Sequence, residues 1–447
     1  MKTAIRCAAV VTNTPLGIIR DPLVLFGEGR ILHVGPFDAA LLAGHQPVHL
    51  IHRPGSVLIP GLIQPHIHLC QTLFRGLAEN RPLLAWLRDR IFPLEAAHDP
   101  DSMYLSAVLG LRELIAGGTT TIMDMGSVFH YESVLHAILE SGIRALAGKA
   151  LMDRNDLFPG LQEPTAKALQ SAADQMAAWH GRDHGRIRYA MTPRYILSCS
   201  DALLKESFGL CERVPDSFWH THAAEQQEES AAVKSAVGED AIPHFAKLGV
   251  LSPKSGLAHG IWLSDTDLRL LRETGTRLIH CPSSNLKLGS GIASLARLKS
   301  EQLVTGLAAD GAPCNNRLDG FREMNLAGLL QNLKEGPGVI PARAIFEMAT
   351  LGGAKVLHLD DQTGSVETGK AADLALLTFM HPGRLSAPGT DEDWYAFLVH
   401  EASSDLVTDV WAGGRPLKTD GVLAGPDPLA AGSPDQILTT LLSRSGL

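Results

Sequence analysis

The stretch PGLIQPHIHLCQT, residues 60–72, divides the chain into two textures. Before it, residues 1–56 hold short β-prone runs, AAVVT (8–12), PLVLFG (22–27) and RILHVG (30–35), separated by Gly and Pro turns and without a long helical period. After Pro60 and Gly61, apolar strands alternate with amphipathic helical stretches. The strands read as TTTIMDMG (119–126), IRYAMTP (187–193), FWHTH (218–222), GLAHG (256–260), TRLIHC (276–281) and TGLAAD (305–310); PDSMYLSAVLGLRELIAGG (100–118) and SDTDLRLLRETG (264–275) read as helices. Such alternation over about 300 residues implies parallel βαβ units and predicts an α/β fold, a (β/α)8 TIM barrel over 57–369. GSVETGKAADLALLTF (364–379) and DLVTDVWAGGRPL (405–417) return to the texture of the N-terminus. The two ends, 1–56 and 370–447, are therefore expected to pair in a small composite β-sandwich, with PDQILTTLLSRSG (434–446) as a final helix packed outside.

Composition narrows the classes of function. The 447 residues are 45% hydrophobic and 19% charged, enough apolar material for a large core. A formal charge of −9, without a block of like charges, offers no footprint for nucleic acid. Pro, Asn and Thr interrupt the N-terminal MKTAIRCAAVVTNTPLG, and no apolar run of 18 residues occurs, so no membrane partner and a cytoplasmic location are expected. The six cysteines lack CxxC spacing and are expected to be reduced, buried packing residues.

The polar residues that matter fall at strand ends. His66 and His68 stand two apart, so in a strand both imidazoles leave one face. An isolated HxH pair is more often two satisfied surface or core histidines. Here His220, His222 and Glu225 end a second apolar run, His259 a third and Asp310 a fourth. Barrel chemistry is carried by the C-terminal ends of several strands, and imidazoles with a carboxylate suit a borderline divalent cation that keeps a position for water.

Five segments, PHIHLCQTLFRG, HTHAAEQQEE, AHG, HCPSSNLKLGSGIA and LAADGAPCNNRLD, resemble in order and spacing the nucleobase and nucleoside deaminase branch of the amidohydrolase superfamily, over about residues 50–380. The resemblance implies one divalent metal ion, Zn²⁺ first and Fe²⁺ or Mn²⁺ as alternatives, held by His66, His68, His222 and Asp310. It implies Glu225 as proton shuttle, Asp310 as the base that accepts the water proton, and His259 as polar partner of the attacking water. IRYAMTPR lacks a Lys that could bridge two metals, so a mononuclear site is expected. His220, deeper on the same strand face as His222, is assigned to packing, as are Ser283, Ser284 and Asn285 to loop scaffolding. The acidic run Glu228 and Glu229 reads as a solvated helix start.

For the substrate, TLFRGLAENRPLLAWLRDRIFPLEA (72–96) resembles the methylthioadenosine/S-adenosylhomocysteine deaminase group, including its 5′-deoxyadenosine-acting relatives, which implies Glu95 on ribose hydroxyls and Trp86 as a pocket wall. Two departures point elsewhere. Arg194 in TPRYILSCS and Gln71 stand where guanine deaminases contact the base, and Lys149 stands where some adenosine-type members have Arg. The expected activity is hydrolytic deamination of adenosine-type nucleosides with release of ammonia. Guanine or another oxopurine is the alternative, followed by triazine-type hydrolysis and, distantly, a non-catalytic binding protein. A small-molecule partner and a homo-oligomer are expected.

Overall fold

The computed structural model describes residues 2–45, 48–381, 383–384 and 386–447. Five strands open the chain: β1 (Lys2–Val11), β2 (Ile18–Arg20), β3 (Pro22–Gly27), β4 (Arg30–Pro36) and β5 (Val48–Pro60). The barrel strands follow as β6 (Leu62–His68), β7 (Thr119–Met125), β8 (Arg144–Gly148) with the short β9 (Ala150–Leu151), β10 (Ile187–Pro193), β11 (Phe218–Ala223), β12 (Ser255–His259) and β13 (Arg277–His280). The eighth barrel strand comes in two pieces, β14 (Thr305–Leu307) and β15 (Asp310–Gly311). β14 pairs with β13, while β15 pairs with β6 through Asp310 opposite Ile67 and Gly311 opposite His68. That split closes the parallel barrel and sets Asp310 beside the HxH strand.

The chain ends meet as expected. β16 (Leu374–Thr378), β17 (Val407–Ala412), β18 (Arg415–Thr419) and β19 (Val422–Leu423) join β1–β5 in one continuous sheet of order β19-β18-β17-β16-β5-β1-β3-β4, with β2 on β1. The seam is antiparallel, Leu376 opposite Leu58 and Leu374 opposite Pro60. One face gathers Val10, Val24, Phe26, Leu58, Leu376 and Trp411. The alternate residues Val11, Val57, Ile59, Ala375 and Leu377 join the apolar cluster of the barrel helices, as the two-residue period of a strand requires.

Inside the barrel, Ile63, Met123, Leu146, Ala190, Phe218 and Ile279 form a buried plug drawn from successive strands. Two or four residues further along the same strand faces come Arg194, His220 and His222. The apolar layer is thus the floor on which the polar groups stand. Among the described residues no helix is long and apolar enough to cross a membrane.

The C-terminal helix Pro434–Ser445 packs on the helices Phe92–Ala96 and Pro100–Ala116. Its one fully buried side chain, Leu441, joins a cluster with Leu83, Trp86, Leu87, Ile91 and Phe92. Arg444 pairs with Asp99, which also caps the Pro100–Ala116 helix through Ser102. We expect Leu441→Ala to cost about 2–5 kcal/mol, the range for a buried Leu truncation. A chemical-denaturation midpoint unchanged from wild type would show that this helix does not hold the 83–97 segment in place.

Candidate metal and catalytic site

One ligand atom each from His66, His68, His222 and Asp310 lies within 4.8 Å of all the others, at the C-terminal mouth of the barrel. The Nε2 atoms of His66 and His68 are each 3.3 Å from Asp310 Oδ1, and His68 Nε2 is 3.3 Å from His222 Nε2. The surrounding hydrogen bonds fix which nitrogens carry protons, because a carbonyl oxygen can only accept. His68 Nδ1 donates to the Met125 carbonyl and His222 Nδ1 to the Arg194 carbonyl, both at 2.7 Å. His220 Nδ1 donates to the Gly256 carbonyl at 3.0 Å, so its Nε2 is left as an acceptor and takes the His66 Nδ1 proton at 2.7 Å. All three candidate ligands therefore turn an unprotonated Nε2 inward.

His220 is thus not a ligand; it orients His66, a more specific role than packing. His66 Nε2 is buried and has no hydrogen-bond partner. Burial, followed by the neighbouring imidazoles, pushes His68 down to about 3 and His222 well below its ordinary value. A set of neutral imidazole lone pairs beside a carboxylate, with one orphaned buried nitrogen, fits a single borderline divalent cation. Burial would raise Asp310, but His66, His68 and His259 hold it well below the usual carboxylate range.

His259 and Asp310 leave their strands in the left-handed region, φ 76° and 63°. Leu257 packs outward with the helices, so strict alternation would send His259 the same way. The backbone turn brings it inward at a strain cost of about 1–3 kcal/mol. Its Nδ1 donates to Asn285 Oδ1 at 2.9 Å, which gives Asn285 the scaffolding role its loop position suggested. Nε2 faces Glu225 Oε2 at 3.4 Å and Asp310 Oδ2 at 3.9 Å. Burial raises Glu225 above the ordinary carboxylate range, against the pull of His259, and Ser290 Oγ donates to its Oε1 at 3.4 Å.

Beyond these groups lies a narrow cavity of about 30 Å³ walled by Leu83, Trp86, Leu87, Tyr195 and Leu288, with Gln71 and Arg194 at one side. Glu95 lies behind that wall. Its carboxylate accepts from Arg194 Nη1 at 2.7 Å and Gln71 Nε2 at 2.8 Å, and it is absent from the cavity lining. Gln71 Oε1 is left without a partner, and a Cβ at Gly311 would come within 2.2 Å of it, so glycine there makes the room. Lys149 is ion-paired with Glu163 away from the cavity.

Glu229 departs from its sequence reading. Rather than a solvated helix start it is 4% exposed, lines the cavity and accepts the Glu225 backbone N–H at 3.3 Å; burial, then Glu225, pushes it up to about 7. Its spacing, three residues into the Gln227–Val237 helix counted from Gln226, is the capping-box position that could have signalled the inward turn. Nothing comparable in the sequence pointed to Tyr195 or Leu288.

Comparison with known proteins places this geometry in a lineage. The sequence profile of the amidohydrolase family matches residues 57–417. The chain is 36% identical over 412 residues to a 5′-deoxyadenosine deaminase of Methanothermobacter thermautotrophicus, covering 91% of each chain. It is 34% identical over 416 residues to a 5-methylthioadenosine/S-adenosylhomocysteine deaminase of Desulforudis audaxviator, covering 93% of each. Among solved structures it is similar to an adenosine deaminase from Xanthomonas campestris with bound zinc, at a TM-score of 0.89 and 27% identity over 99% of this chain and 98% of that one. A barrel closed by a split eighth strand, a mouth of inward-facing imidazoles and a profile match across both agree: the chain belongs to the amidohydrolase family.

Proposed function

We propose that the protein is a hydrolytic deaminase of adenosine-type nucleosides, with 5′-deoxyadenosine, methylthioadenosine, S-adenosylhomocysteine or adenosine as substrate and Zn²⁺ as the ion. This is a finer cut of what family membership gives, a hydrolase of carbon–nitrogen bonds in cyclic amidines. One arrangement carries the reading. His259 stands between a carboxylate held ionised, Asp310, and a carboxylate raised by burial, Glu225, at the end of an apolar slot. Likeness to the two nucleoside deaminases narrows the ring to adenine.

His66, His68, His222 and Asp310 would hold a divalent cation, which when bound would supply the Lewis acidity that lowers the pKa of a water from ~15.7 toward ~7. The residues do the rest. Asp310 Oδ2, turned toward His259, takes one proton of the attacking water, and His259 Nε2, with its Nδ1 proton engaged by Asn285, accepts a hydrogen bond from the same water. Glu225, raised above the ordinary carboxylate range by burial, is the group that donates to the ring nitrogen beside the attacked carbon, so that the ring can accept the electron pair. The proton gathered on Asp310 then leaves with ammonia, and the hydroxyl proton of the adduct returns to Glu225 as the carbonyl forms, so that the two protons of the water end on ammonia and, by way of Glu225, on the ring nitrogen. Glu229 holds the Glu225 backbone, and Leu83, Trp86, Leu87 and Leu288 exclude bulk water.

A second reading, an oxopurine such as guanine, is favoured by Arg194 and the unpartnered Gln71 Oε1 on the cavity wall. Guanidinium donors suit a ring carbonyl, and the amide oxygen suits a ring N–H. In the first reading Glu95 takes the ribose hydroxyls, which requires Arg194 to release part of its hold.

Ammonia release from a panel of 5′-deoxyadenosine, methylthioadenosine, S-adenosylhomocysteine, adenosine, guanine and a chlorotriazine tests the assignment. Turnover of guanine alone would overturn it in favour of the oxopurine reading. Glu225→Gln is expected to keep the metal, by elemental analysis, and to lose at least ~100-fold in kcat, the scale of general acid–base catalysis. Near-normal turnover would remove Glu225 from its role. Wild-type turnover should also fall on the alkaline side, as Glu225 loses its proton. Glu95→Ala is expected to reduce kcat/KM for nucleosides by at least about tenfold, some 1.4 kcal/mol, and to affect free bases much less. Equal losses would take Glu95 off the ribose.

A further inference from the structure

At the end of the barrel opposite the histidines, a second cleft, of about 720 Å³, opens between the N-terminal mouth of the barrel and the sheet built from the chain ends. Arginines dominate its lining, and most are already committed. Arg144 Nε bonds Asp373 Oδ2 at 3.0 Å, Arg186 Nε bonds Asp183 Oδ2 at 2.6 Å, and Arg30 Nη1 donates to the Gly369 carbonyl at 2.7 Å.

Arg188 is different. It is 8% exposed, its guanidinium makes no hydrogen bond among the described residues, and its one ion pair is with Asp216 at 3.8 Å, a side chain 64% exposed. On β10 it stands two residues before Ala190, part of the interior plug, so its stem rises inside the mouth and its head opens into the cleft. Arg415, on β18 across the cleft, is exposed, and its side chain has neither hydrogen bond nor ion pair among the described residues. Burial, and then the neighbouring arginines, holds Arg186 below its ordinary value, and burial does the same for Arg188. One wall is the turn 181–185, where Asp183 and His184 are both left-handed, φ 50° and 57°, a strained conformation for residues with a Cβ.

A largely buried guanidinium whose ion pair is a long contact to an exposed carboxylate keeps donors free, and a planar fork of donors matches the paired oxygens of a phosphoryl group. We propose that this cleft binds a compact diphosphate-class anion, gripped by Arg188 and Arg415. Two guanidiniums with free donors, on separate strands, call for more than one set of oxyanion oxygens. Glu28 and Asp361 share the lining, and the chain is acidic as a whole, which disfavours an extended polyanion such as nucleic acid. The site stands apart from the metal ligands and does not depend on the substrate assigned to them.

Calorimetric titration of the metal-loaded full chain with inorganic pyrophosphate and with ADP tests this. Diphosphates also chelate cations, so the reading is the difference between wild type and variants that share the same metal site. Arg188→Met should weaken binding by at least about tenfold, the factor that 1.4 kcal/mol represents. Arg415→Ala, at an exposed position with little risk to folding, should weaken it by about threefold or more, with deaminase activity retained in both. ADP binding tighter than pyrophosphate supports a nucleotide ligand, and equal affinities support the inorganic anion. Absence of saturable binding at millimolar ligand, or binding that neither substitution weakens, overturns the proposal.

Discussion

The mouth of this barrel depends on keeping several imidazoles neutral and aimed while buried together. Burial alone disfavours their charged forms, and crowding adds to it, as the low value at His68 shows. Neutrality is not enough, because a neutral imidazole can carry its proton on either nitrogen. The carbonyls of Met125, Arg194 and Gly256 settle that choice from the far side of each ring, the last acting through His220 on His66. Strands β7 and β12 and the residue that follows β10 thereby dictate the tautomers of histidines on β6 and β11.

The same burial acts in opposite directions on two carboxylates. Asp310, among imidazoles, stays ionised, while Glu225, in contact with one imidazole and an apolar wall, is raised. Separation of the two values by environment lets one group accept a proton while the other gives one. His259 stands between them, held by Asn285 and by a left-handed backbone whose strain the fold tolerates at this position.

Much of this was legible beforehand. The β/α alternation, the pairing of the two ends and the positions of His66, His68, His222, Glu225, His259 and Asp310 at strand ends follow from periodicity and motif spacing. What was not legible concerns contacts between residues far apart in the chain. Glu229 read as solvated because first-turn glutamates usually are, and only packing against Glu225 turned it inward. Glu95 read as a group facing ligand, yet it is engaged by Arg194, 99 residues away.

Sequence by itself determined that His66, His68, His220 and His222 share the inner face of their strands, since a strand's two-residue period sends alternate residues to one face, whereas His259 reaches the mouth only through its left-handed backbone. Tertiary structure alone decided what those side chains can do there. Proton placement, charge state and hydrogen-bond partner are set by the atoms opposite each group, and those atoms come from other strands and loops of the chain.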